Sequence, residues 1–411
     1  MTAELVPFEE AVARVLAEVQ PLPAETALLA AAAGLILREP LQALYDVPRE
    51  ATSLMDGYAV RASEVAPGRP LEVAFETAAG GLAPRPLSPG ECARIFTGAL
   101  LPAGADAVIP QEDATRTGDA VSFATRPGPG SEVRQAGVEA RAGDALLPAG
   151  SVVDAGTLSL AATVGYGRLL VGARPVVQIV STGDELVAPG EPLAPGKIHE
   201  ANSGALARYA SQCGAIARSD LAPDDPERIA EKSRDEHADV FVTTGGASVG
   251  DRDFAREVLA RLGGRQIFWR VAMRPGKPVL FGVIDRPDVR RQLFFGLPGN
   301  PGAAALTFDV FVRPALFALQ GASQPRRPRV LALLGETVDK PEHLTFLVRG
   351  RLVAKEAMLV FRPAASALAG GSMSTRSLPN LGAVAVLPPG TGRVEAGRKV
   401  EVEPWGPVEP G

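Results

Sequence analysis

A chain of 411 residues is too long for one ordinary core, so roughly two to four domains are expected. Its net charge of −5, with 46% hydrophobic and 22% charged residues, describes a soluble globular protein and argues against a general nucleic-acid or membrane surface. Cys92 and Cys213 lack ligand spacing and His199, His237 and His343 lie far apart, which excludes a disulfide framework and a histidine-rich metal site; the acidic start (Glu4, Glu9, Glu10) shows no signal peptide and suits a cytoplasmic protein.

In chain order, residues 7–20 put Phe8, Val12, Val15, Leu16 and Val19 on one helical face, with Pro21 and Pro23 as the stop. The alanine-rich stretch from Ala24 to Leu37 predicts a second helix. Residues 51–126 read as short strands broken by Pro and Gly, an inserted β domain with the turn Asp56-Gly57 at its start. Residues 127–150 are turn-rich and carry Arg134, Glu139, Arg141 and Asp144. Asp154 then caps a helix that Gly165 ends, and a short strand follows. Segments 1–50 and 127–171 together make a discontinuous, mixed helical linking domain.

From 172 to 322 buried strands alternate with helices that begin near Asn202-Ser203, Pro226, Phe254 and Pro301. This predicts a central, open, mostly parallel α/β domain. Pro314 should kink or split its last helix, which runs to about Gln320. The segment QPRRPR, 324–329, reads as a linker, and 323–411 as a C-terminal β domain. The fold class is thus α/β plus β, multidomain, and no run reads as long and apolar enough to cross a bilayer.

Ligands of open α/β sheets bind beyond the carboxyl ends of the strands. Four polar loops follow apolar strands here: STGDEL (Asp184, Glu185), the loop reaching Asp224 and Asp225, TTGGASVGDRD (Gly245, Gly246, Ser248, Gly250, Asp251, Asp253) and GLPGNP (Pro298, Gly299, Asn300, Pro301). Glycines followed by a helix start make an anion cradle. The aspartates would repel a bare phosphate, and suit one whose charge is shared with a divalent cation such as Mg²⁺; alternatively they only cap the helix. Arg270, Arg274 and Lys277 supply cations for an oxyanion, and four-residue spacing within one strand would aim Arg270 and Arg274 to one face. Thr97, Gly98, Asp106, Glu112 and Asp113 form a further polar group in the inserted β domain. No nucleophile elbow, Walker A lysine or dinucleotide fingerprint accompanies these loops.

In order, MDGYAV, TGA, PQED, STGDEL, DDP, TTGGASVGDRDF, RPGKP and GLPGNP resemble the MoeA/gephyrin E-domain family, the molybdenum insertases, over nearly the whole chain. The resemblance implies a molybdopterin molybdotransferase: adenylylated molybdopterin is hydrolysed with Mg²⁺, molybdate enters the dithiolene, and AMP leaves. It implies catalytic roles for Asp56, Thr97, Glu185, Asp224 and Asp253, with Glu185 and Asp253 on Mg²⁺. It implies substrate contacts from Glu139, Gly245, Gly246, Ser248, Gly250, Arg270, Arg274, Lys277, Pro298, Gly299, Asn300, Pro301 and Ser372. It also implies an elongated homodimer in which the MDGYA domain of one subunit completes the α/β site of the other. A molybdopterin adenylyltransferase and proteins that mature molybdoenzymes are the implied partners.

Three departures stand out. Gly137-Val138-Glu139 replaces the family's Gly-Glu-Asp, Arg270 and Arg274 stand where lysine is usual, and Leu54 precedes Met55 in place of a small residue. Arginine keeps the charge and changes its geometry from a point to a fork. Two other functions fit parts of the pattern. A molybdopterin adenylyltransferase shares a related α/β domain without needing the flanking β domains. A gephyrin-like scaffold would bind partners without turnover.

Overall fold

The computed structural model describes residues 5–83, 85–234, 238–246, 254–285, 290–365, 378 and 381–410. Its centre is a six-stranded sheet in the order Ile216–Ala222, Val176–Thr182, Val240–Thr244, Gln292–Leu297, Leu280–Ile284 and Arg265–Trp269. The first four strands run parallel; the last two join antiparallel. Both faces are covered, which is why the four inner strands are buried at nearly every position, whereas the edge strands Ile216–Ala222 and Arg265–Trp269 are exposed or half-buried at most of theirs. Val240 and Val242 pack with the helices Phe8–Ala17 and Ser203–Gln212 and the 301–319 segment, whereas Phe241 faces Ile229, Val258 and Leu259 on the other side. The alternation follows from the two-residue period of a strand.

The helix Phe8–Ala17 forms as its apolar spacing predicts and buries Phe8, Val12 and Val15. The expected helix over Ala24–Leu37 does not. Ala24–Leu28 is a strand paired antiparallel with Arg168–Gly172, followed by a single turn of 3₁₀ helix at Leu29–Ala31. Local alanine propensity yields to distant backbone pairing and to burial of Ala32, Leu35 and Leu37 in the same small core. Asp154 does cap Ala155–Thr163, accepting the Thr157 N–H at 2.7 Å.

The last helix of the central unit is split. Pro301–Thr307 and Arg313–Leu319 flank a π-helical turn at Phe308–Val312. Pro314 has no N–H to continue the ladder, and widening the preceding turn accommodates it. This 301–319 segment has a mean hydropathy of 1.5, so it is long and apolar enough to cross a membrane, contrary to the sequence reading. It is a core element here, with 83% of that window buried.

A second six-stranded sheet lies in the order Ala107–Pro110, Gly57–Val60, Glu91–Ile95, Leu71–Thr77, Ala120–Phe123 and Ala114–Thr117. Toward the C-terminus, Thr345–Lys355 pairs with Met358–Pro363, which pairs with Val330–Leu334, then Lys399–Pro404, then Ala383–Leu387, which returns to Thr345–Lys355. This ring closes a small barrel and leaves few exposed edges.

The 324–329 segment that leads into the barrel is clamped by charge. Arg326 and Arg329 pair with Glu9 of the first helix at 2.8 Å each, and Arg327 donates to both carboxylate oxygens of buried Asp309.

Candidate active site

The parallel registers decide where the polar loops meet. Thr182 lies opposite Ala222, Ser181 opposite Thr244, and Thr244 opposite Leu297. The loops carrying Asp184 and Glu185, Asp224, Gly245 and Gly246, and Pro298 to Asn300 therefore leave the sheet at one rim. Asp184 Oδ1 accepts the Asp224 N–H at 3.2 Å, joining two of them. Glu185 is exposed at this rim, and its carbonyl accepts the Ile198 N–H at 2.9 Å.

Gly245 has φ +95°, and a Cβ there would stand 2.3 Å from the Thr182 carbonyl oxygen. Its backbone comes close to Gly299, whose own Cβ position is 3.3 Å from Gly245 Cα. The glycine loop thus rests on the GLPGNP loop. Asn300 caps the following helix, accepting the Gly302 and Ala303 N–H groups, and Pro301 takes the first helical position.

The basic group reaches the same rim by an unexpected path. The strand predicted over RQIFWRVAM breaks at Arg270, which adopts φ +69°. Its N–H goes to Val279 and its carbonyl to Val6. Arg270 and Arg274 are therefore not one-face neighbours on a strand. The Arg270 guanidinium lies 3.8 Å from the centre of the Trp269 ring. Met273–Arg274 instead forms a short strand parallel to Thr345–Phe346 of the barrel, so the C-terminal domain helps to place Arg274. Trp269 pairs with Leu280 and Leu280 with Gly296, which brings Arg270 and exposed Lys277 to the end of the sheet that holds the loops.

Asp56 and Thr97 meet in the other β sheet. Gly57 pairs with Ile95 on one side and Pro110 on the other, so the residues just beyond, Asp56 and Thr97, face each other. Asp56 Oδ1 accepts the Thr97 N–H at 2.8 Å and its hydroxyl at 2.7 Å. These two bonds, the backbone one first, hold the Asp56 carboxyl below its usual range against desolvation, with a lesser contribution from the Arg94 charge. Arg94 lies against the rings of Tyr58 and Phe96, and donates to the Gly57 carbonyl and to Gln111. It ties MDGYA, TGA and PQED into one unit. Asp106 is structural, accepting the Ala62 N–H at 2.7 Å; Glu112 and Asp113 are exposed in a 3₁₀ turn.

Glu139 pairs with Arg134, whose strand joins Thr52–Ser53 just before Asp56. The Asp56 group and the rim of the central sheet belong to two separate sheets. Ser248, Gly250, Asp251, Asp253 and Ser372 lie outside the described residues. Among those described, no cluster of three or more His, Cys, Asp or Glu is arranged to hold a metal.

Sequence reasoning missed the polar groups beneath the loops: buried Ser181, Asn202 and Thr244, and half-buried Glu200. Asn202 was legible only as the start of a helix.

Comparison with known proteins bears on the whole chain. A family model of the MoeA N-terminal region (domains I and II) matches residues 6–165, and one of a probable molybdopterin binding domain matches 178–318. A molybdopterin molybdenumtransferase of Nostoc is 36% identical over 385 residues, 90% of this chain and 86% of that protein. The chain belongs to the MoeA family of molybdopterin molybdenumtransferases. The Bacillus subtilis member is 34% identical over 97% of this chain and 93% of its own. The solved MoeA structure from Pyrococcus horikoshii superposes with a TM-score of 0.80 at 28% identity, over 98% of this chain and 99% of that one. As a MoeA-family protein the chain is a transferase of molybdenum cofactor biosynthesis with the multidomain MoeA fold.

Proposed function

We propose that the protein hydrolyses the pyrophosphate bond of adenylylated molybdopterin and inserts molybdate into its dithiolene, releasing AMP and molybdenum cofactor. The observation that carries this reading is the shared rim. Glycine loop, carboxylates and a basic segment converge there, which is what a pyrophosphate and a second oxyanion need. The Gly246 N–H opens the phosphate cradle, since Gly245 gives its own N–H to the Leu297 carbonyl at 3.3 Å, and Ser248 and Gly250 are assigned to the same phosphate. Arg270, Arg274 and Lys277 hold the oxyanions, Pro298 to Pro301 wall the loop, and Ser372 is assigned a substrate contact.

Mg²⁺ usually takes one or two carboxylates and completes its shell with water and substrate phosphate. The exposed carboxylate of Glu185 fits the protein's share, with Asp253 as its partner. When bound, the ion neutralises charge on the pyrophosphate. Asp224 orders the acidic loop through Asp184.

Asp56 is held ionised, so at neutral pH it accepts hydrogen bonds or a proton and donates none. Its group and Glu139 act on the rim of the partner subunit in a homodimer. The two buried, free thiols suit a cytoplasmic setting. A molybdopterin adenylyltransferase would supply the substrate, and the product would pass to proteins that mature molybdoenzymes.

The test is AMP release from adenylylated molybdopterin with Mg²⁺ and molybdate, for the parent, Asp56→Asn and Glu185→Gln. Molybdate-dependent release by the parent and its loss in both variants is expected. Release independent of molybdate, or consumption of ATP in its place, overturns the reading.

A further inference from the structure

Beneath the rim, four side chains form a hydrogen-bond chain whose direction is determined. Glu200 is its acceptor end: Oε1 accepts the Ser181 hydroxyl at 2.7 Å, the Asn202 N–H and the Ser203 N–H, and Oε2 accepts the Ser203 hydroxyl at 2.9 Å. Burial works against this charge, but the hydroxyl and backbone donors outweigh it and keep the carboxyl below its usual range. Ser181 has one proton and gives it to Glu200. The 3.0 Å contact between Ser181 Oγ and Thr244 Oγ1 must then be donated by Thr244. Thr244 Oγ1 in turn accepts Asn202 Nδ2 at 3.3 Å.

The same Asn202 nitrogen donates its second hydrogen to the Gly299 carbonyl at 2.7 Å. Both amide hydrogens are used, and a flipped amide would set oxygen against oxygen at Gly299. The chain Asn202 to Thr244 to Ser181 to Glu200 thus fixes which way the Asn202 amide points. Bonds in such a chain strengthen one another in a buried setting, and Asn202, Ser181 and Thr244 are 9%, 0% and 1% exposed. Gly299 is the residue on which Gly245 rests.

We propose that Asn202 is a positioning residue: its amide sets the spacing between the GLPGNP loop and the glycine loop, and Thr244, Ser181 and Glu200 hold that amide in place. The role rests on the reading that these two loops line the pyrophosphate. Asn202 touches no reacting atom. It acts through Gly299, and a displacement of about 1 Å at such a site can lower turnover 10²-fold.

The experiment pairs two readouts on Asn202→Asp, Thr244→Val and Thr244→Ser. Hydrogen exchange of residues 298–303 and 240–246 in the substrate-free protein reports the tether. Exchange there should rise about tenfold in Asn202→Asp and Thr244→Val, with Pro226–Arg234 unchanged and Thr244→Ser close to parent. AMP release reports positioning: kcat should fall at least about tenfold in the first two variants, KM should move less than about threefold, and Thr244→Ser should keep the parental kcat. Unchanged exchange overturns the tether. Raised exchange with unchanged kcat overturns the positioning role, as does a Thr244→Ser variant that loses as much as Thr244→Val. If Asn202→Asp does not fold, the two Thr244 variants decide. A parent that releases no AMP defeats the proposed function and the positioning role with it, while exchange still judges the tether.

Discussion

Asp56 and Thr97 stand 41 positions apart, yet one carboxylate oxygen of Asp56 takes both the N–H and the hydroxyl of Thr97, at 2.8 and 2.7 Å. The pair exists because Gly57 is squeezed between two strands. A Cβ on Gly57 would lie 2.0 Å from the Ile109 carbonyl oxygen. Gly57→Ala should cost roughly 3 kcal/mol by forcing those strands apart, read as a lower urea midpoint. An unchanged midpoint would mean that the strands do not approach this closely.

Thr97→Val removes the hydroxyl donor and keeps the N–H. The folded Asp56 carboxyl lies below its ordinary value of 3.8, so its favourable bonds are complete above that value and are lost as pH falls through the folded one. In the variant the Asp56 titration, followed by carboxyl-carbon NMR, should move up toward 3.8. The acid limb of turnover should move with it. A titration identical to the parent's would show that the backbone bond suffices alone.

If each site uses Asp56 from one subunit and Glu185 from the other, two inactive homodimers can rescue each other. Mixing Asp56→Asn with Glu185→Gln and allowing subunit exchange should recover about a quarter of parental AMP release, since half the dimers are mixed and each has one intact site. No recovery despite demonstrated exchange would place the whole site within one subunit.

Gly245→Ala puts a side chain at φ +95° and 2.3 Å from the Thr182 carbonyl. The left-handed backbone alone costs roughly 1–2 kcal/mol, and relief must come from moving the loop. Turnover should fall at least about tenfold, with a smaller relative effect on stability. A variant as active as the parent would remove the glycine loop from the site.

Arg327 grips Asp309 through both carboxylate oxygens at 2.8 to 3.1 Å. Arg327→Ala should destabilise by roughly 1.5–3 kcal/mol, because it removes charge-assisted hydrogen bonds and leaves the mostly buried Asp309 carboxylate only the longer 4.0 Å contact to Arg313. Chemical unfolding measures this, and a loss below about 1 kcal/mol would mean that water replaces the arginine.

Burial pushes the thiols of Cys92 and Cys213 up to about 12. Neither should react with a thiol reagent at pH 8 until the chain unfolds. Rapid labelling of the native protein would contradict their burial.

Much of this molecule was readable in one dimension. The alternation of buried strands with helices from residue 172 marks the α/β unit, since buried parallel strands must be apolar on both faces. Once those strands are parallel, their loops must share a rim, so Glu185, Asp224, Gly245 and Asn300 could be grouped before any coordinates. The Ala24–Leu37 stretch was misread because helix propensity is weak beside pairing with Arg168–Gly172, a partner that no local window contains. Arg270 was misread for a related reason. Its run is apolar enough for one strand, but the barrel claims Met273–Arg274 for another sheet.

The sequence by itself determined the family and the fold class, because glycine turns, strand-end carboxylates and proline-stiffened loops are local signals. Only the tertiary structure decided the rest. Strand register brings Asp56 to Thr97, the barrel places Arg274, and the chain from Asn202 to Glu200 draws on separate segments whose polar atoms must satisfy one another once water is gone. Such partners are chosen by burial and geometry in three dimensions, and no spacing along the chain encodes them.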